Sequence, residues 1–234
     1  MRTMSRELKR GSVDGSIAPG QTLGGAARET RRPARVVQPA VAAGLSTPTA
    51  LAARGPVLAD RDALPRLVLG RRPVVAELGV EAGLYADVYT RLLPDGEFHF
   101  VDMWETTASY FAYGTQPGRV ERGYQRCVRR YGDDPRVRLV RSVTWEAAER
   151  YEDGTFDFIY VDADHSEDGC RRDIEAWYPK LKRGGVIAGH DFDPGPEQER
   201  RELFGVDRAV RACFGEDFAL TGEPAWKSWW HIKP

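Results

Sequence analysis

Cysteine is scarce in this chain of 234 residues: Cys127, Cys170 and Cys213 are odd in number and far apart. Such spacing suits neither a disulfide framework nor a zinc ribbon, so a reducing compartment is expected, with the cytoplasm as the location. No apolar run approaches the ~20 residues of a membrane span, and no secretory apolar core is visible. A membrane partner is therefore not expected. A large net charge is missing too, since 34 Lys and Arg face 35 Asp and Glu. The balance is uneven along the chain. Residues 1–56 carry nine basic and three acidic residues, which leaves 25 basic against 32 acidic in residues 57–234, a formal charge of −7. An acidic body argues against a nucleic-acid groove.

Residues 1–56 are rich in Ala, Arg, Gly and Pro and show little periodicity, which predicts a disordered tail. Being Arg-rich and acid-poor, the tail leaves organelle targeting open. Residues 57–234 read as one domain in which strand and helix patterns alternate. "RPVVAELGV" is a short apolar run, followed by a helical face at Leu84, Tyr85, Val88, Tyr89 and Leu92 that stops at "PDG". "EFHFVD", "RVRLV", "FDFIYVD" and "GGVIAGHD" are further strands. Between them lie the helical stretches "RVERGYQRCVRRYG" and "TWEAAERY", and a helix with Cys170, Ile174, Trp177 and Leu181 on one side. "GVDRAVRACFG" is a last helix before the closing strands "DFALTG" and "SWWHIKP". Such alternation predicts an α/β doubly wound, mostly parallel sheet of seven strands with an antiparallel strand at the C-terminal end. Sheets of this kind bind ligands beyond the carboxyl ends of their strands.

The dinucleotide fingerprint G-x-G-x-x-G is also absent. In its place, "VVAELGVEAG" sets Glu77, Gly79 and Gly83 in the spacing E-x-G-x-x-x-G, and Asp102 ends the next strand. Glycines at such a turn let the backbone approach a ligand closely, and a carboxylate at the second strand end suits a pair of ribose hydroxyls. This stretch resembles motif I of the class I S-adenosylmethionine-dependent methyltransferases. The resemblance implies that Glu77, Gly79 and Gly83 surround the amino-acid part of the cofactor and that Asp102 holds its ribose. It also makes Met103 and Ser142 candidates for the adenine pocket, with ordinary packing as the alternative for Met103.

"FDFIYVDADHSEDG" and "LKRGGVIAGHDF" crowd Asp162, Asp164 and His165 after one strand and His190 and Asp191 after the next. They resemble the small-molecule O-methyltransferases, including the caffeoyl-coenzyme A and catechol enzymes. That resemblance implies a divalent cation, magnesium or manganese, on Asp162, His190 and Asp191, with His165 as the base that takes the acceptor's proton. His190 departs from the oxygen ligands of those relatives and shifts the preference away from magnesium. His165 as a ligand, or either histidine as a base without metal, stays open. Asp164 reads as the cap of the following helix. The expected reaction is methyl transfer to a small-molecule acceptor, at a hydroxyl oxygen. A nicotinamide-dependent oxidoreductase is the alternative on a similar fold. The aromatic segment "ETTASYFAYGTQPG", with Tyr110, Phe111 and Tyr113, reads as an acceptor wall or as a homodimer contact. "FDPGPEQERRELFG" reads as a second wall.

Overall fold

Strand β1 (Val74–Leu78), buried at four of its five residues, is flanked by β2 (Glu97–Asp102) and β4 (Phe156–Val161), whose residues are almost all buried. Near-continuous apolar strands of this kind require cover on both faces. The computed structural model describes residues 58–69, 72–105, 118–193 and 203–234. The tail expected over residues 1–56 lies outside them, as do Tyr110, Phe111 and Tyr113. With β3 (Val137–Arg141), β5 (Leu181–Gly189), β6 (Ala219–Leu220) and β7 (Trp229–Ile232), the described residues form a seven-stranded sheet of order β3-β2-β1-β4-β5-β7-β6. β1 to β5 run parallel, and β7 is antiparallel to both β5 and β6. The doubly wound sheet and its antiparallel C-terminal strand are as the alternation implied.

Strand alternation sorts the core into two layers. Val75, Phe158 and Tyr160 face one layer, together with Tyr89 of α1 (Ala86–Leu92) and Tyr85 just before it, Cys127 of α2 (Arg119–Tyr131), and Leu64 and Val68 of a leading 3-10 helix (Arg61–Val68). Ala76, Ile159 and Ile187 face the other layer, with Ala147 of α3 (Thr144–Ala147), Ile174 and Trp177 of α4 (Glu167–Trp177), and Val210 of α5 (Val206–Phe214).

Three local expectations are corrected. Leu181 is not on the helix with Trp177 but is the first residue of β5, because the chain passes through a 3-10 turn at Tyr178–Lys180. Pro179 in that turn has no N–H with which to continue the α-helical ladder. Leu84 is 66% exposed, outside the packed face of α1, which starts two residues later. Asp164 does not cap α4. Ser166 does so, its Oγ accepting from Gly169 N at 3.1 Å, while Asp164 Oδ1 accepts from Ser166 N at 2.9 Å and shapes the turn before the cap.

Candidate active site

The carboxyl ends of β1, β2, β4 and β5 are laced together by backbone hydrogen bonds that run past the strands. Gly79 N donates to Val101 O at 2.9 Å, Asp162 N to Leu78 O at 2.8 Å, and His190 N to Val161 O at 3.3 Å. Each residue just beyond a strand is thereby fixed next to its neighbour. Gly79, at φ 88°, lies so close to β4 that a Cβ there would come within 2.1 Å of Asp162 O. Only glycine permits both that conformation and that contact. Gly83, at φ 69°, makes the second turn, and its N donates to Val80 O at 2.7 Å.

Glu77 is buried, and among the described residues its Oε2 has no hydrogen-bond partner. Burial, reinforced by the nearby Asp162 carboxylate, pushes its pKa well above the ordinary range, and Arg61 partly offsets this. A buried carboxylate without a partner is costly, and a cationic ligand group beside it relieves that cost. Asp102 is buried as well. Its Oδ2 accepts from Glu81 N at 2.8 Å and its Oδ1 from Trp104 N at 2.6 Å. Burial raises its pKa in spite of these two N–H groups. Asp102 therefore fixes the glycine turn to the end of β2, and its carboxylate keeps further lone pairs able to accept hydrogen bonds. Met103 is half-buried, and its carbonyl accepts from Arg141 Nε at 3.2 Å. Ser142 follows β3, with its N donating to Asp102 O at 3.0 Å and its Oγ accepting from Arg150 at 3.2 Å.

Beyond β4 and β5 the titratable groups converge. His165 Nε2 lies 3.4 Å from Asp162 Oδ1 and 3.1 Å from Asp191 Oδ2. His190 Nδ1 lies 2.9 Å from the other oxygen of Asp191, Oδ1. Burial disfavours the His165 imidazolium, but the hydrogen bond to Asp162 and the charge of Asp191 overcome it and raise the pKa. His190 is likewise raised against burial, chiefly by Asp191. Burial would raise Asp191, but the two histidines hold it below the carboxylate range. Among the described residues, Asp162, His165 and Asp191 each offer a ligand atom, all within 4.8 Å of one another. The structure thus groups His165, rather than His190, with the two carboxylates as ligand atoms, and His190 meets the other oxygen of Asp191.

The sequence profile of the methyltransferase-domain family matches residues 76–192, half of the chain, from β1 to just past the two strand-end clusters. The chain belongs to this family. It is a class I S-adenosylmethionine-dependent methyltransferase, and the nicotinamide alternative falls away. No curated protein sequence matches it. Solved structures share its fold. A Staphylococcus aureus protein provisionally named a caffeoyl-CoA O-methyltransferase superposes with a TM-score of 0.55 at 15% identity, over 76% of this chain and 86% of its own. An S-adenosylmethionine-dependent methyltransferase from Aquifex aeolicus gives 0.53 at 15% identity, over 80% and 94%. A Corynebacterium glutamicum protein gives 0.51 at 16% identity, over 80% and 90%.

The methyltransferase's site also includes groups that sequence reasoning passed over. Arg61 reaches it from the 3-10 helix. Phe204, from the second expected wall, stacks on the His165 ring with centroids 5.0 Å apart and planes at 10°, and Trp226 meets Phe204 edge-on at 5.3 Å. Gly205 N donates to His165 O at 2.7 Å, which ties the start of α5 to the β4 loop. The Asp60 cap and the Pro65 of "DRDALPRLV" were the available signals for the 3-10 helix. No described helix is long and apolar enough to cross a membrane.

Proposed function

We propose that this methyltransferase alkylates a hydroxyl oxygen of a small-molecule acceptor, with the donor held at the β1 and β2 ends and the acceptor at the β4 and β5 ends. The observation that carries this reading is the convergence of Asp162, His165 and Asp191 near Glu77, whose Oε2 has no hydrogen-bond partner among the described residues. On the donor side, Glu77 would face the cationic amino-acid end, Gly79 and Gly83 would admit it closely, and Asp102 would meet the ribose. Met103 and Ser142 would border the adenine. S-adenosylmethionine supplies a methyl group already activated on a sulfonium. The protein's task is then to orient the acceptor oxygen, take its proton and exclude water.

The site also fits a divalent cation. Two carboxylates and one imidazole form a mixed oxygen and nitrogen donor set, which suits manganese, iron or zinc better than magnesium. A cation held by Asp162, His165 and Asp191 would lower the pKa of an acceptor hydroxyl. His190, oriented by Asp191, is then the imidazole left to take the proton. A second reading needs no metal. The closeness of His165 Nε2 to both carboxylates favours it, since Asp162 and Asp191 would orient His165 as the base and stabilise its imidazolium. In both readings Phe204 stacks on the His165 imidazole and Trp226 packs against Phe204.

Mass-spectrometric screening of hydroxylated acceptors for a gained methyl group identifies the substrate, and repeating the assay on chelator-stripped enzyme separates the two readings. We expect activity to vanish on stripping and to return with manganese more fully than with magnesium. Undiminished turnover in metal-free enzyme would remove the cation and leave His165 as the base.

A further inference from the structure

Arg61 opens the 3-10 helix and is tied down through its backbone. Its carbonyl accepts from the Tyr85 hydroxyl at 2.5 Å, and its N–H donates to Glu223 Oε1 at 2.6 Å. Its guanidinium carbon lies 5.0 Å from the centroid of the Tyr85 ring. That ring is 4.5 Å from the ring of Tyr160, which is the cross-strand partner of Glu77. Glu77, Tyr160 and Asp162 alternate onto the same face of adjoining strands. Arg61 is therefore a half-buried cation by the strand ends that carry Glu77, whose Oε2 has no hydrogen-bond partner among the described residues. Burial works against its charge, yet Tyr160 and Asp162 raise its pKa, and its own field lowers that of Glu77. Among the described residues it makes no ion pair within 4.0 Å.

The amino-acid end of the donor carries an ammonium and a carboxylate on one carbon. A site that offers only Glu77 satisfies half of that zwitterion and repels the other half. A guanidinium supplies the missing half, because its planar fork matches a carboxylate with two parallel N–H···O bonds. We propose that Arg61 binds the α-carboxylate of the donor's methionine moiety while Glu77 binds the ammonium. The inference rests on the donor placement given above and adds a residue upstream of the matched family segment. It makes the 3-10 helix part of the cofactor site rather than only a cover for the core.

Calorimetry on the full chain tests it with two probes: S-adenosylhomocysteine, and the same compound lacking its carboxylate. We expect the wild-type protein to bind the carboxylate form about tenfold more tightly or better, the scale of one charge-assisted hydrogen bond. Arg61→Gln should abolish that preference by weakening only the carboxylate form, and Arg61→Lys should keep part of it. Equal wild-type affinity for the two probes overturns the proposal, and this arm does not depend on any variant folding. So does an Arg61→Gln protein that weakens both probes equally, which would mark Arg61 as a counter-ion for Glu77 and Asp162. A variant that keeps the full preference overturns it as well, and points to an anion on the acceptor as the partner of Arg61. If the wild-type chain binds neither probe, the donor placement itself fails along with the inference.

Discussion

Asp191 adopts φ 57°, in the left-handed region that side chains other than glycine, asparagine and aspartate rarely enter. A regular strand would send His190 and Asp191 to opposite faces. The left-handed turn after β5 instead lets the Asp191 carboxylate meet both imidazoles, one with each oxygen, at 2.9 and 3.1 Å. Strain of about 1–3 kcal/mol at one residue is typical where a functional geometry requires it. His165 is the group on which both readings of the chemistry converge. Replacing it with alanine is expected to lower turnover by about 10²- to 10⁴-fold, the usual contribution of a positioned base. Calorimetric affinity for S-adenosylhomocysteine should stay unchanged, because His165 belongs to the acceptor side. A variant with normal turnover would remove His165 from the mechanism.

At the scale of the element, α4 carries a charge that its packing does not favour. Asp173 lies on the buried side of the helix with Ile174 and Trp177, under α3, whose Thr144 carbonyl accepts from Trp177 Nε1 at 2.8 Å. Burial pushes the Asp173 carboxyl up to about 7, an effect the Thr144 hydroxyl only partly offsets. The folded state therefore holds this proton more tightly than the unfolded chain does. Stability should fall as pH rises from about 4 to 7 and level off above that, a loss on the order of 4 kcal/mol. Asp173→Asn should flatten the dependence and leave the variant more stable than wild type at pH 8, as denaturant melts at several pH values would show. Equal slopes for the two proteins would mean that Asp173 is charged and satisfied in the fold. The same helix shows how elements are bounded. Ser166 starts it with a side-chain bond, Pro179 stops the chain just after it, and β5 begins at Leu181.

Across the whole molecule, the order β3-β2-β1-β4-β5 places the proposed donor and acceptor residues on neighbouring strand ends, although Glu77 and Asp191 are more than a hundred residues apart in sequence. Binding that joins several strand ends must stabilise the fold as a unit. S-adenosylhomocysteine at about a hundred times its Kd should add about 2.7 kcal/mol, or roughly 5–10 °C in Tm for a domain of this size. A melt that does not move with ligand would argue against a donor site spanning β1 and β2. The sheet and most of the cluster were legible in the chain because buried parallel strands are written as apolar runs, and motif-bearing turns follow them directly. Glu77 and Asp102 are read from their places in the last residues of a strand, and Gly79, Asp162 and His165 from theirs just beyond one. Leu84 and Leu181 were misplaced because periodicity does not see where a helix begins, or how a proline converts its last turn. The meeting of the Asp191 carboxylate with both His165 and His190 occurs at a left-handed backbone position. Arg61's approach to Glu77 depends on how the 3-10 helix packs against Tyr85 and Tyr160. The sequence by itself determined which polar residues stand at which strand ends, since hydrophobic period and turn residues are local. Only the tertiary structure decided which side chains meet there, because those contacts join segments whose separation along the chain carries no distance information.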